Sequence, residues 1–444
     1  MPPRVRSLRL FSWGGAVAAT CFGFLVFSDA APLGTLLLAG VGIVVGIVLT
    51  AYPEITLALF LQVGAFKGDE RVGTILPFDL TVVLGALFVA GVLFLRIWRE
   101  PWIRPPKAFL LYAPLVGLML LSLLYTPDLG AGLDKAGRFL FLTGLAIAAP
   151  FLVLNSSIRL MRFLVTLVVI AAALSLVTLP MLGGSERLVA PSGMTIQLGL
   201  AAAAALAVSF YWILPTMSLR KRWVFYPVVV LLLVALLGSG ARGSTIAATI
   251  CLVLAPWFER KLLVDLAILA ALGVLILPVV GIPPAAYDYL ATLIREDSHS
   301  VLGFRWLLMR EAVRQTVEHP MLGVGLGGYP TFSPNPSLYS WPHNVFLEIS
   351  SETGILAALA VVGLVGAAFL ETRRQLTDRI FSRKDFSRVV LALLMVGFIQ
   401  MIHTGNINDN RMVWFYLGLP FVLREVASRE EGTQRATHAG GSHS

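Results

Sequence analysis

Long apolar blocks alternate with short stretches rich in Arg, Lys, Gly and Pro along the whole chain. From Leu188 to Leu219 there is no charged residue at all, and about 20 apolar residues suffice to cross the hydrocarbon core of a bilayer. The blocks predict helical spans at about 10–28, 32–51, 53–66, 79–97, 107–126, 138–154, 160–180, 194–215, 223–239, 244–257, 262–281, 344–370, 388–404 and 411–424. The block from Pro53 to Phe66 is short, so the pattern predicts roughly 12–14 spans. It divides the chain into an N-terminal transmembrane bundle (1–281), a long loop with an amphipathic helix (282–343), C-terminal transmembrane helices (344–424) and a polar tail (425–444) expected to be disordered. The expected fold is all-α and polytopic.

Composition sharpens this picture. Of 444 residues, 57% are apolar and only 13% charged, with a mean hydropathy of +0.83. So few charges cannot cover the surface of soluble domains. The net charge of +9 invites a nucleic-acid reading until the basic residues are placed. With the N-terminus inside, one face of the bundle collects 23 of the 34 basic and 10 of the 25 acidic residues, leaving 11 and 15 on the other, hence +13 against −4. Such asymmetry is the orientation signal of a membrane protein. It predicts cytoplasmic N- and C-termini, an outward-facing long loop and no nucleic-acid partner. The first 30 residues read as an uncleaved signal anchor. Cys21 and Cys251 fall inside predicted spans, far apart in sequence, which suits neither a disulfide framework nor a thiolate metal site.

Candidate chemistry concentrates on the outer face. The loop from Ile282 to Pro342 is far longer than its neighbours, and long irregular segments on a rigid scaffold are where binding and catalysis tend to sit. Within it, LGFRWLLMREAVRQTVEH reads as an amphipathic helix with Leu302, Trp306, Met309 and Val313 on one stripe and Arg310, Glu311, Arg314 and Glu318 on a solvated side. Arg305 borders the apolar stripe, where it suits either a ligand contact or a snorkelling interfacial side chain. The glycines of MLGVGLGGYP read as a turn. His343 and Asn344 then open a helix, where free backbone N–H groups and the positive end of the dipole favour an anion. Glu348 and Glu352 follow at spacings of four on one face, with Glu352 ~13 Å along the helix, a depth at which a carboxylate needs a partner. Arg187 and Arg242 stand at outer span ends against the charge bias, offering forked donors suited to phosphate oxygens. Gly238 to Thr245 nearly spells a Walker loop but lacks its lysine, and Asn408-Asp409 beside Arg411 reads as a cap with a local ion pair.

Four segments in this order, RLVAPSG, GARGS, HPMLGVGLGGY and HNVFLEISSETGILA, resemble the O-antigen ligase family, whose superfamily includes O-antigen polymerases and bacterial O-linked oligosaccharyltransferases. The resemblance is strongest from Arg187 to Gly354. It departs where Val-Ala-Pro follows Arg187 in place of Ser-Gly-Pro, and where Ala241 replaces the usual Ser. It implies a membrane-embedded lipid-linked-sugar transferase of the GT-C-like kind, in a bacterial inner membrane, with its active site periplasmic. The implied reaction moves a glycan from undecaprenyl diphosphate to an acceptor hydroxyl, on lipid A–core for a ligase or on another glycan for a polymerase. In that scheme Arg187, Arg242 and Arg305 bind the diphosphate, His343 is the general base with Glu348 the next catalytic candidate for that role, and Asn344 and Glu352 support them. The outer face lacks an Asp-x-Asp pair, so no divalent metal and no cofactor is expected. A transporter or flippase of lipid-linked glycan is the competing class, but it would carry charges or broken helices at the midplane rather than at outer helix ends.

Overall fold

The computed structural model describes residues 42, 44–66, 79–97, 100–181, 187–280, 301–333, 341–378, 381–403 and 406–440. These form helices α1 (Val44–Ala51), α2 (Pro53–Ala65), α3 (Leu80–Ile97), α4 (Tyr112–Ser122), α5 (Leu129–Val153), α6 (Ser157–Met181), α7 (Thr195–Thr216), α8 (Leu219–Ser239), α9 (Arg242–Phe258), α10 (Leu262–Val280), α11 (Val301–Glu318), α12 (Val345–Thr353), α13 (Ile355–Thr377), α14 (Lys384–His403), α15 (Arg411–Tyr416) and α16 (Leu419–Gly440). Among the described residues seven helices are long and apolar enough to cross a membrane, or eight with the bent pair α1–α2 counted as one span. The chain is an all-α polytopic membrane protein. The signal anchor and most of the span expected at 32–51 lie outside the described residues.

The alanine run of α7 explains the packing. Ala201 to Ala207 are buried, and α7 lies against α6, α8, α9 and α14. Small side chains let helix backbones approach closely, the main source of helix association where lipid already solvates apolar surface. Alongside, α9 packs on α14, and α13 on α4 and α14.

Ion pairs join residues expected on the same face. Arg162 meets Glu54 at 3.2 Å, Arg159 meets Glu100 at 2.8 Å and Arg222 meets Asp265 at 2.6 Å, all residues assigned inside. At the other end Lys135 meets Glu348 and Glu352, and Arg314 meets Glu311 and Glu318.

Three expectations change. The span predicted at 344–370 is two helices, because Gly354 takes φ +89, closing α12 before α13 begins. A 103° bend separates α1 from α2, so 53–66 is not an independent straight span. Helix α16 continues to Gly440 through the tail expected to be disordered. Glu430 anchors that tail by accepting from the Ser157 hydroxyl and pairing with Arg383, and Arg429 pairs with Glu425 one turn away. Polar composition read alone misses such docking.

Candidate functional site

Helix α12 sets the site. Asn344 is its N-cap, and the side-chain oxygen accepts from the N–H groups of Phe346 and Leu347 at 3.0 and 3.1 Å. His343, just before the cap, is the one non-glycine residue with positive φ among those described, at +55. That left-handed turn carries the imidazole off the helix axis, where it is 8% exposed and meets Trp341 edge to face at 5.7 Å between centroids.

The glycine-rich segment behaves as the turn it was read to be. Gly323, Gly325 and Gly327 take positive φ, and the turn is wedged between the end of α12 and the loop joining α4 to α5. Val324 donates to the Ser351 carbonyl at 2.8 Å and Gly325 to that of Glu352 at 3.0 Å, while the Thr126 hydroxyl donates to the Leu326 carbonyl at 2.8 Å.

Glu348 and Glu352 share a partner absent from the sequence reading. Lys135 of α5 places its Nζ 2.5 Å from Glu348 Oε1 and 2.6 Å from Glu352 Oε2, with both carboxylates 1% exposed. The second oxygen of Glu348 accepts the Ile407 N–H at 2.9 Å. Asn408 does not cap its neighbour as expected; its amide donates to the Lys135 carbonyl at 3.1 Å, and the Asn406 side chain does the local capping. One sequence signal points to Lys135: like Arg242, it is a cation at a span end expected on the outer face, against the charge bias.

Arg305 lies beside this assembly. Its guanidinium donates to the His403 carbonyl at 3.1 Å, at the C-terminal end of α14. The amphipathic helix forms over the expected residues, but its packed face is Leu308, Ala312 and Gln315, while Trp306 and Val313 of the predicted stripe are exposed. Arg305 therefore borders the protein-facing side. Arg314 and its two glutamates stay on the open side, as expected. Burial, and then the charge of Arg305, push the His343 imidazole down to about 4, so the ring is neutral at physiological pH. Burial is the larger of the two causes.

The other two arginines come from separate segments. Arg242 starts α9, half-buried, two residues before Ser244, whose hydroxyl donates to Gln400 at 3.5 Å, one turn from His403. Arg187 is exposed and precedes Leu188, whose N–H donates to the Gly238 carbonyl at 2.9 Å near the end of α8. Arg305 thus joins the end of α14 and acts on His343, Ser244 ties the start of α9 to α14, and Leu188 ties the segment after Arg187 to the end of α8. Glu348, Glu352 and Asn344 support α12 from behind.

A search of curated proteins finds no match to the chain. Residues 227–362, which include Arg242, Arg305, His343, Asn344, Glu348 and Glu352 but begin after Arg187, match the family model described as O-Antigen ligase. Over those residues the chain is similar to the O-antigen ligase family, whose members are glycosyltransferase-type enzymes.

Proposed function

We propose that this protein transfers a glycan en bloc from undecaprenyl diphosphate to an acceptor hydroxyl at the outer face of a bacterial inner membrane, lipid A–core being the acceptor. The observation that carries this reading is the juxtaposition of a buried, neutral His343 with Arg305 at one end of α14, inside the segment that matches the family. A neutral imidazole accepts a proton; guanidinium groups hold the oxygens of a departing diphosphate.

The reaction balances with these groups alone. The acceptor oxygen attacks the anomeric carbon, and its proton passes to His343. The bond between that carbon and the phosphate oxygen breaks, and its electron pair leaves with undecaprenyl diphosphate. Arg242, Arg305 and Arg187 stabilise the charge that develops there. The step is metal-independent as written. Charges gathered at helix ends rather than at the midplane speak against the transporter class.

The test is transfer by purified protein supplied with carrier-linked glycan and, separately, lipid A–core or a second carrier-linked glycan. Product on lipid A–core supports the ligase, and product on the glycan alone supports a polymerase. His343→Ala should remain in the membrane and bind donor, with transfer lowered by about 10²–10⁴-fold. Wild-type rates in that variant refute the mechanism.

A further inference from the structure

We propose that Lys135 is a positioning residue: through its double ion pair to Glu348 and Glu352 it fixes the rotation and height of α12, and with them the place of His343. The proposal rests on His343 being the base.

The physics of the cluster argues for a role other than stability. Lys135, Glu348 and Glu352 are removed from water, the lysine side chain 14% exposed and each carboxylate 1%. Burying ions costs several kcal/mol each, and their attraction does little more than offset that cost, so an apolar trio would hold the helices as well. An ionic trio adds direction. Two carboxylates one turn apart on one face of α12 converge on a single ammonium, so turning or sliding the helix lengthens at least one of two contacts of 2.5 and 2.6 Å. The Ile407 N–H on the other oxygen of Glu348 adds a third point from a different segment. A void of about 10 Å³ adjoins the trio, lined also by Met119, Leu326 and Ile349, so there is little room for the carboxylates to move.

That constraint reaches His343 in a few bonds. The Glu348 N–H donates to the Asn344 carbonyl at 2.9 Å, closing the first turn of α12, and Asn344 is the next residue after His343. His343 belongs to no helix and sits in a left-handed conformation that costs energy for a side chain with a Cβ. The position of its ring is inherited from α12, and α12 takes its register from Lys135.

The experiment uses the full-length protein in detergent or liposomes, with kcat and donor KM measured for four variants. K135M alone strands two buried carboxylates and tests only folding. The neutral triple variant K135M/E348Q/E352Q removes the charges together and keeps the volumes; it is expected to accumulate, to keep donor KM within about twofold, and to lose about 10–100-fold in kcat, the scale of a misplacement near 1 Å. E352Q, which leaves a balanced Lys135–Glu348 pair, is expected to lose a smaller factor in kcat at unchanged KM, and it decides the matter if the triple variant does not accumulate. Wild-type kcat in the accumulating triple variant, or in E352Q when that is the deciding variant, overturns the proposal, as does a loss confined to KM. His343→Ala is run in parallel. If it stays active the base assignment has failed, whereas an inactive His343→Ala beside fully active charge variants refutes the positioning role alone.

Discussion

The depressed affinity of His343 for protons makes a pH experiment decisive. The ring is held neutral down to about 4, against 6.5 for an ordinary histidine, by burial first and by Arg305 second. Between those values the unfolded chain takes up a proton that the folded chain refuses. His343 therefore withdraws stability as pH falls from 6.5 to about 4 and contributes no penalty above that window; at ~1.36 kcal/mol per pH unit the full loss is on the order of 3 kcal/mol. For activity the same shift keeps the base deprotonated in the free enzyme over a wider acid range, at the expense of its basicity. The acid limb of kcat/KM, which reports free enzyme, should lie near 4, leaving a plateau through pH 6.5. Donor binding changes the second cause: a diphosphate beside Arg305 counters its charge and favours the imidazolium. The acid limb of kcat, which reports the complex, should therefore lie higher than that of kcat/KM. Arg305→Gln should raise the kcat/KM limb toward 6.5 without reaching it, because burial remains. The assay is initial transfer rate between pH 4 and 8 at saturating and limiting donor, with samples returned to pH 7 to separate reversible titration from unfolding. A kcat/KM limb at 6.5, or limbs that coincide in kcat and kcat/KM, would refute the reasoning.

Two further outcomes are expected. Arg242→Lys should express normally yet transfer slowly, by about tenfold or more, because a point charge replaces a forked pair of donors; full activity would show that Arg242 does not hold the diphosphate through its fork. Gly354→Ala places a methyl against the Met321 carbonyl at a backbone φ of +89, and should cost about 3 kcal/mol or more of stability, read as a lower thermal midpoint and yield in detergent; an unchanged midpoint would show that the break between α12 and α13 tolerates a side chain.

Much of this architecture is legible in the chain because bilayers impose a simple code. Apolar length marks the helices, and helix punctuation puts His343 and Asn344 at the start of α12. The failures have physical causes too. Periodicity marks the apolar stripe of α11, but it does not say which face packs on protein, and Trp306 and Val313 of that stripe are exposed. In a membrane protein the outward face can be the apolar one, while Ala312 and Gln315 make the protein contact. The break at Gly354 hid inside an apolar run, since hydropathy does not register backbone sign. Lys135 was missed because its partners lie more than 200 residues away, and periodicity speaks only of near neighbours.

The contrast between two arginines of one helix shows what turns a charge into a site. Arg314 is met by Glu311 at 2.5 Å and Glu318 at 2.5 Å, two acids of its own helix, and 47% of its side chain faces outward. Its charge is neutralised locally and screened by solvent, which is how most surface arginines end. Arg305, nine residues earlier, points to the protein and donates to the last carbonyl of α14, where the helix dipole is negative but partial. That carbonyl orients the guanidinium, and its charge is felt at His343, whose proton affinity Arg305 lowers. An anion arriving there meets an oriented cation in a poorly solvated setting, and its arrival restores basicity to the histidine beside it. Binding the donor and readying the base are then one electrostatic event, which is why the two pH limbs must separate if the site works this way.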